Sequence, residues 1–408
     1  MTSAALTRWN EFVAGAKTPI IVHLPRNIGG NTSMLSNAMR ELGATSISIS
    51  FEQDPFGFRS DITICAPKDS LLRREFRRLV WIFRILRRAD ILHFNSGTTL
   101  AMPSDDAVRM PGRETTFWRG LRILHARYTD LLQIVEIRAA RLLGRKMYMT
   151  FQGDDLRQGD RSLAQFEISI AQHVERDYYN PRSDKRKRQR LLRYRRNGIR
   201  FFVLNPDLNW FLDGAGTFIP YSNAEHGEVP VAGRAKTGDI IRIVHAPSHR
   251  VAKGTAIIEE VIALLRTNGL QFEFEIIEGV DNSEAKRRIS SADLLIDQLF
   301  AGWYGGVAVE AMINGVAVMS YIREDDLAHV PAEMQEQLPI LRTDADSLAT
   351  QIEWYVGLTD SERWTISENS AIFARRWHSP RYVASRVFKE YTTWVVPQSL
   401  PVVGSSPS

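Results

Sequence analysis

Short apolar runs alternate with stretches of helical periodicity through the first half of the chain. The runs have the length and residue types of buried strands, and they cover residues 19–24, 46–51, 90–95, 146–151 and 200–204. Apolar residues spaced three and four apart predict helices over 34–42, 71–88, about 119–143 and 207–212. Strands that alternate with helices need crossover connections, so this half predicts a mostly parallel sheet.

The same alternation starts again after residue 238. Strands are predicted over 240–245, 272–277, 293–297 and 317–321, and helices over 253–266, 284–289, 307–313, 345–358, 360–377 and 380–394. Residues 223–238 are rich in Gly, Pro and small residues, which predicts an interdomain linker. Residues 397–408 are predicted to be a disordered tail. We expect an α/β protein with two Rossmann-like domains, 1–222 and 239–379, that face each other across a cleft.

Composition limits the class of protein. The chain has 408 residues, 44% of them hydrophobic and 24% charged, which is enough for two or three well-packed domains. Its single cysteine, Cys65, excludes an intramolecular disulfide and a zinc site built on cysteines. No apolar run is long enough to cross a bilayer, and the N-terminus has no signal-peptide pattern. These features predict a cytoplasmic protein.

The two halves carry opposite net charges. Residues 1–222 contain 35 basic and 22 acidic residues, a net charge of +13, whereas residues 223–408 contain 17 and 25, a net charge of −8. Ten basic residues lie in 182–200 and seven arginines lie in 71–88. Such segments fit an anionic membrane surface, nucleic acid phosphates or a solvated face.

Helix 71–88 is predicted to be a core helix with a basic exposed face. The apolar residues expected to be buried there are Leu72, Phe76, Leu79, Phe83 and Leu86.

Two loops in the second half follow predicted strands and precede predicted helices. The first loop, 246–255, contains Arg250 and Lys253, and the second, 297–306, is rich in glycine. Ligands of open parallel sheets bind at the carboxyl ends of the strands, where cations and backbone N–H groups suit a diphosphate. Glu310, one turn into the next helix, can accept hydrogen bonds from vicinal hydroxyls such as those of a ribose. Solvated charges at two helix starts would give the same pattern.

The segment 302–315 resembles the paired-glutamate region of retaining glycosyltransferases of the GT-B fold, of the family-4 type. The residues that match in register are Gly305, Glu310, Ala311, Gly315 and Val318. Residues 250–254 resemble the Arg/Lys-Gly loop for the donor phosphate in that family. The other matches are Gly29 and Gly30 with the helix that ends at Gly43, and the segments 89–94, 151–157, 205–208 and 377–380.

The resemblance, which spans about residues 20–394, implies a GT-B enzyme whose last helix, 380–396, crosses back to complete the N-terminal domain. It implies that a nucleotide diphosphate-sugar donates a sugar to a saccharide or lipid-linked acceptor held by residues 1–222. No metal and no further cofactor are expected. The residues assigned to catalysis are Arg250, Lys253, Gln152 and Asp154. Those assigned to donor binding are Gly29, Gly30, Ser248, Gly254, Gly305, Gly306, Val307 and Glu310.

The implied setting is polysaccharide or glycoconjugate assembly on the inner face of the cytoplasmic membrane, with the basic segments 71–88 and 182–200 against anionic lipid. Two positions depart from the family pattern, because Gly302 replaces the first glutamate and Gln152 replaces a histidine. They leave open a catalytically degenerate scaffold that acts through its basic N-terminal face. Nucleotide-sugar epimerisation is a further alternative. Nucleic-acid binding rests on 182–200 alone and is not expected.

Overall fold

The computed structural model describes residues 3–54, 57–101, 116–175, 177–223 and 240–393. The predicted linker 223–238, apart from Asn223, and the predicted tail 397–408 lie outside the described residues, as do residues 394–396 of the last predicted helix.

A seven-stranded parallel sheet forms the first domain, in the order β3-β2-β1-β4-β5-β6-β7. Its strands are β1 (Ile20–Leu24), β2 (Thr45–Ser50), β3 (Ile62–Thr63), β4 (Ile91–Asn95), β5 (Lys146–Phe151), β6 (Arg200–Val203) and β7 (Gly216–Phe218). Its helices are α1 (Ser3–Ala14), α2 (Asn31–Glu41), α3 (Leu71–Arg88), α4 (Thr116–Leu142), α5 (Gly159–Gln165), α6 (Pro181–Arg196) and α7 (Leu208–Phe211), with 3-10 turns at Ile28–Gly30 and Ile170–Gln172.

A five-stranded parallel sheet forms the second domain, in the order β12-β11-β10-β8-β9. Its strands are β8 (Arg242–His245), β9 (Glu273–Ile276), β10 (Leu294–Ile296), β11 (Ala317–Ser320) and β12 (Leu341–Arg342). Its helices are α8 (Arg250–Lys253), α9 (Thr255–Thr267), α10 (Asn282–Ser290), α11 (Gly306–Ile313), α12 (Ala332–Glu336), α13 (Leu348–Gly357) and α14 (Asp360–Trp377), with a 3-10 segment at Glu324–His329.

The last described helix, α15 (Pro380–Thr393), leaves the second domain and packs on α2 and the first sheet. Its buried residues Val383, Val387 and Tyr391 share a core cluster with β-strand residues that include Tyr148 and Phe202. The Tyr148 hydroxyl donates a hydrogen bond to the carbonyl of Glu390 at 3.1 Å. Two parallel α/β domains and a returning helix confirm the GT-B fold class predicted from the sequence.

Tyr221, near the end of the first domain, lies beside His378, which precedes the returning helix α15. His378 connects the two segments by a hydrogen bond. The carbonyl of Tyr221 can only accept, so the bond of 2.9 Å from His378 Nδ1 makes that nitrogen the donor. His378 Nε2 therefore accepts from the hydroxyl of Tyr304, also at 2.9 Å. Burial lowers the pKa of His378 to about 4, so the ring is neutral near pH 7.

The prediction for helix α3 was wrong for four of its five apolar residues, and the fifth, Leu86, is buried as predicted. Leu72, Phe76, Leu79 and Phe83 are exposed by 84%, 62%, 46% and 60%, while the neighbouring stripe Trp81, Ile82, Ile85 and Leu86 is buried. Arg77 and Arg78 are also buried, because their long side chains reach the backbone carbonyls of Ile64 and Leu100. None of the described helices is both long and apolar enough to span a membrane.

Several elements differ from the sequence-based expectation. The short elements β3, β7, β12, α5 and α12 were not predicted. Helix α1 was not predicted, and it packs through Trp9 against Trp81, with ring centroids 5.8 Å apart. The single helix predicted over 253–266 is divided into α8 and α9 at Gly254, whose φ of +80° ends one helix and caps the next.

Candidate functional site

A cavity of about 1030 Å³ lies between the two domains, at the carboxyl ends of both sheets. Its lining includes most of the site residues predicted from the sequence, which are Gly29, Gln152, Asp154, Ser248, Lys253, Gly305, Gly306, Val307 and Glu310. Gly30, Arg250 and Gly254 were also predicted but do not belong to the lining. The structure therefore brings residues from four separate segments of the chain to one place.

Lys253 and the glycine-rich loop are joined by Asp297, which follows β10 and was not predicted as a site residue. Lys253 Nζ lies 2.6 Å from Asp297 Oδ1, and the N–H of Gly305 donates to Asp297 Oδ2 at 2.7 Å. The Asp297 side chain is fully buried, whereas that of Lys253 is 18% exposed. Asp297 thus fixes the Lys253 ammonium at the cavity wall. Two of the three N–H donors of Lys253 remain available to a ligand.

Gln298 determines the course of the glycine-rich loop. Its Nε2 donates to the carbonyl of Trp303 at 2.7 Å, and its Oε1 accepts from the N–H of Phe300 at 2.8 Å. Trp303 and Tyr304 are almost completely buried. The two aromatic residues of the loop therefore act mainly as packing residues that hold Gly305 in place.

Gly302 occupies a position that a larger residue cannot share with Arg323. Gly302 has a φ of +79°, and a Cβ atom there would lie 2.4 Å from Arg323 Nη1. Arg323 is held in turn by Asp326 at 2.7 Å and by the carbonyl of Ile168, in the first domain, at 2.6 Å. The space beside Gly302 is thus filled by a packed guanidinium that connects the domains.

Glu310 lies on α11 at the cavity wall and forms an ion pair with Lys286 at 3.4 Å. A smaller cavity of about 340 Å³ also borders Glu310 and Lys286. Asn223, where the chain leaves the first domain, donates to the carbonyl of Gly306 at 3.1 Å. A carboxylate one turn from the glycine loop therefore faces the same space as Lys253.

Arg250 does not line the cavity. Its guanidinium pairs with Glu259 and Glu278, each at 2.7 Å, and its side chain is 46% exposed. His249, which does line the cavity, accepts the N–H of Ala252 at 3.2 Å through Nδ1. Lys253 is therefore the cation that the loop 246–255 supplies to the cavity.

The other two predicted glycines have conformational roles. Gly30 has a φ of +72°, and a Cβ atom there would lie 2.6 Å from the ring of Phe58. At Gly254 a Cβ atom would meet Leu299 at 3.0 Å. Both positions shape the loops that border the cavity without lining it.

Asp154 anchors the first-domain wall of the cavity. It accepts hydrogen bonds from the hydroxyls of Tyr178 and Tyr179 and lies 3.5 Å from Arg157. Burial would raise the pKa of Asp154, but Arg157 and the two hydroxyls outweigh it and hold the pKa below its ordinary value. Asp154 is therefore a carboxylate near pH 7.

Arg157 pairs with Asp207 rather than with the nearby Asp155. Arg157 Nε lies 2.7 Å from Asp207, and both side chains are buried. Asp155 instead accepts the N–H groups of Gln152 and Gly153 at 3.1 and 2.8 Å. Burial raises the pKa of Asp155 in spite of these bonds.

Helix α6 contributes basic side chains to the same wall. Arg186, Lys187 and Arg190 line the cavity, so part of the basic segment 182–200 faces inwards. Burial lowers the pKa of Lys187, although neighbouring carboxylates such as Asp154 oppose the effect. Ser96 and Gly97, just after β4, line the cavity beside them and were not predicted.

No group of three or more His, Cys, Asp or Glu side chains that could hold a metal ion occurs in the part of the chain that the structure describes.

No protein-family model matches the chain, and no curated protein matches it. Among solved structures, the chain is similar to a glycosyltransferase from Rickettsia africae, with 14% identity, a TM-score of 0.49 and coverage of 92% of this chain and 98% of that chain. It is similar to the sucrose-phosphate synthase of Thermosynechococcus elongatus, with 11% identity, a TM-score of 0.48 and coverage of 92% and 98%. MnaA of S. aureus, solved with UDP, has 10% identity, a TM-score of 0.47 and coverage of 94% and 99%. Similarities at this level do not identify an activity, and the fold is assigned from the strand order and the returning helix.

Proposed function

We propose that this protein is a glycosyltransferase that moves a sugar from a nucleotide diphosphate-sugar to a saccharide or lipid-linked acceptor, with retention of the anomeric configuration. The observation that carries the proposal is the convergence of Lys253, the Gly305–Gly306 helix start and Glu310 on one cavity between two parallel sheets. A cation and a helix N-terminus suit a diphosphate, and a nearby carboxylate suits ribose hydroxyls.

In the proposed reaction, the acceptor oxygen forms a bond to the anomeric carbon of the donor. The bond from that carbon to the diphosphate breaks, and its electron pair stays on the leaving diphosphate oxygen. The acceptor proton passes to a phosphate oxygen. Lys253 and the first-turn N–H groups of α11 would stabilise the added charge, and each preorganised donor of this kind contributes about 2.7–4 kcal/mol. Gln152 and Asp154 would contact the acceptor in this proposal.

The first test is calorimetric titration of the protein with UDP, GDP, ADP and TDP. We expect one of them to bind, and Lys253→Ala to weaken its binding more than tenfold, because a charge-assisted contact of about 1.5–3 kcal/mol is lost. Lys389→Ala is the matched control, since Lys389 is exposed on α15 outside the cavity. No binding by any of the four nucleotides would contradict the proposal.

The Lys253 variant needs a companion, because it leaves the buried Asp297 without its cationic partner. Breaking a buried ion pair in this way costs about 3–5 kcal/mol and can unfold a protein. The double variant K253A/D297N removes both charges and keeps the site neutral. Weak nucleotide binding by the double variant, with an unchanged melting temperature, would assign the effect to the phosphate contact.

Glu310→Gln separates the two parts of the donor. We expect it to weaken nucleotide binding while leaving inorganic pyrophosphate binding unchanged, since the carboxylate is assigned to the ribose. Equal losses for both ligands would refute that assignment.

A catalytically degenerate scaffold is the second candidate, and the packing of Arg323 against Gly302 favours it. Such a protein would bind a nucleotide and leave the nucleotide-sugar intact for any acceptor. An epimerase would convert the nucleotide-sugar without an acceptor. Mass spectrometry and proton NMR of donor incubations, with and without acceptor, distinguish the three activities.

We also propose that α3 rests on an anionic membrane surface. Its exposed stripe of Leu72, Phe76, Leu79 and Phe83 runs along one face of the helix. Arg73, Arg87 and Arg88 are also exposed on this helix, and the guanidinium of Arg87 lies 5.4 Å from the ring centre of Phe83. Exposed apolar side chains and arginines on one helix are complementary to a bilayer with acidic headgroups.

Co-sedimentation with phosphatidylglycerol vesicles tests the membrane proposal. We expect binding to vesicles that contain phosphatidylglycerol, and loss of binding in a Phe76→Glu, Phe83→Glu variant. Leu264→Glu is the control, because Leu264 is similarly exposed but lies on the second domain. If the protein stays in the supernatant, or if both variants bind equally well, the stripe does not meet a membrane.

A further inference from the structure

Two polar side chains on the first-domain wall lack partners. The Ser96 hydroxyl and Gln152 Nε2 are buried and make no hydrogen bond within the described residues. Ser96 follows β4 and Gln152 follows β5, which are neighbours in the sheet, so both residues lie at the same edge of the cavity. Ser96 also has a φ of +58°, a left-handed conformation that is unfavourable for a residue with a side chain.

Unsatisfied groups and backbone strain at the carboxyl ends of parallel strands indicate a ligand site. A rotation about a side-chain bond turns either group towards the cavity. A hydroxyl and an amide match the hydroxyl groups of a saccharide, since both kinds of group can donate and accept hydrogen bonds.

Helix α6 places positive charge beside this pair. The Tyr194 hydroxyl donates to the carbonyl of Gly97 at 2.9 Å, so α6 lies against the turn after β4. Lys187 and Arg190 precede Tyr194 by seven and four residues, which puts all three on one helix face. Lys187 Nζ donates to the carbonyl of Arg157. Arg190 lines the cavity and forms no ion pair with a carboxylate among the described residues.

The carboxylates of this wall are already engaged. Asp154 accepts from two tyrosine hydroxyls, and Asp155 accepts from the backbone N–H groups of Gln152 and Gly153. Neither carboxylate forms an ion pair with Arg190 among the described residues, so the charge of Arg190 remains available to an anion.

We propose that the acceptor is a saccharide with a negative charge, as a carboxylate or a phosphate ester, whose charged group binds at Arg190 and whose hydroxyls bind Ser96 and Gln152. This inference rests on the proposed function, because it names the acceptor class for the same cavity. The donor diphosphate is assigned to the opposite wall around Lys253, so the two substrates are recognised by different cations.

The test is calorimetric titration of the K253A/D297N protein, in which the donor phosphate contact is removed. The probes are glucuronate, glucose 1-phosphate, neutral methyl α-glucoside and farnesyl phosphate, a lipid phosphate without sugar hydroxyls. We expect at least one anionic sugar to bind about tenfold more tightly than methyl α-glucoside, as a charge-assisted contact implies. Farnesyl phosphate should bind more weakly than the anionic sugar.

Three further substitutions in the same background assign the contacts. Arg190→Gln should weaken binding of the anionic sugar about tenfold and leave that of methyl α-glucoside unchanged. Ser96→Gly removes the hydroxyl and relieves the strained φ, so the fold is kept while binding of both sugars falls. Arg196→Gln, near the exposed end of α6 and outside the cavity lining, should have no effect.

Equal affinity for charged and neutral sugars, no binding of either anionic sugar at millimolar concentrations, or an unchanged affinity in Arg190→Gln would overturn the inference. Binding of farnesyl phosphate as tightly as glucose 1-phosphate, with no loss in Ser96→Gly, would also overturn it. Nucleotide titration of the unmodified protein is independent of these measurements. Failure of the donor proposal is therefore seen there and not in the sugar titrations.

Discussion

Arg323 packs so closely against Gly302 that a larger side chain at position 302 would collide with the guanidinium. We expect Gly302→Ala to lower the free energy of unfolding by about 1–3 kcal/mol, because the new residue must adopt a positive φ and displace a buried guanidinium. Urea denaturation followed by circular dichroism measures this change. Gly302→Glu, which introduces a larger and charged side chain at the same position, should be at least as destabilising and should not raise activity.

The matched control for Gly302 is Gly357→Ala. Gly357 is the last residue of α13, and a Cβ atom there meets nothing within 4 Å. A loss of stability at Gly357 as large as that at Gly302 would show that the Arg323 contact is not the cause.

His23 makes the stability of the first domain dependent on pH. It is fully buried with its ring centre 5.0 Å from that of His93, and neither ring nitrogen has a hydrogen-bond partner within the described residues. Burial, helped by Arg40, lowers the pKa of His23 to about 3. Below pH 6.5 the unfolded chain takes up a proton that the folded protein excludes, so stability falls as the pH falls. The loss is up to about 1.4 kcal/mol per pH unit for each such histidine.

His23→Leu removes this proton uptake without breaking a hydrogen bond. We expect the difference in unfolding free energy between pH 7.5 and pH 5 to be smaller in the variant than in the wild type. Burial also lowers the pKa values of His93, His245 and His378, so part of the dependence remains. An identical pH dependence in both proteins would mean that His23 is protonated when folded.

At the scale of single residues, the sequence predicted those cavity residues that lie in or next to loops of distinctive composition. Lys253, Gly305 and Glu310 lie in loops or helix starts after strands, and the cavity contains all three. Arg250 had the same signal, but its guanidinium pairs with Glu259 and Glu278 and does not line the cavity. Asp297 and Ser96 were missed, because a single residue at a strand end acquires its role only from contacts that the tertiary fold creates. For Asp297, its position directly after a buried strand was the available signal.

Helix α3 shows what a periodic pattern determines and what it leaves undetermined. The pattern correctly predicted a helix over 71–88, which spans Leu71–Arg88 in the structure. It contained two apolar stripes, and only packing against α1 and the sheet decided which stripe was buried. Arginines on the buried side do not prevent burial when backbone carbonyls and carboxylates accept their hydrogen bonds.

Arg78 stabilises α3 from within the domain. It donates to Glu75 and to the carbonyl of Leu100, and it lies 4.0 Å from the ring centre of Phe51. We expect Arg78→Ala to reduce the free energy of unfolding by about 3 kcal/mol, because it breaks a buried pair. Arg73→Ala should change it by less than about 0.5 kcal/mol, since the Arg73 side chain is 63% exposed compared with 3% for Arg78. Equal effects in chemical denaturation would contradict this assignment.

At the scale of the whole molecule, the first domain depends on a helix from the far end of the described chain. Removing residues 380–393 uncovers the apolar faces of α2 and the central strands, including Ile21, Met39 and Tyr148. We expect the truncated protein to lose hydrogen-exchange protection in β1 and β4 while β8 and β10 remain protected. Full protection of β1 in the truncated protein would show that the first domain folds without α15.

The arrangement of two sheets and a returning helix was predictable because strand and helix signals occur in the same order in both halves. The orientation of the domains was not, since it depends on side chains such as Trp210, which donates to Asp326 across the interface at 2.8 Å. A sequence pattern reflects the local preference of each residue. It therefore carries no signal for this contact, which joins residues 116 positions apart.

The position of α15 has a consequence for synthesis on the ribosome. The first domain emerges early, but the helix that covers its sheet is translated only after the whole second domain. At about 5–20 residues per second, the intervening residues take on the order of ten seconds or more to make. During that interval the nascent chain displays an uncovered apolar surface, so this protein should be a frequent client of chaperones that bind chains before they leave the ribosome.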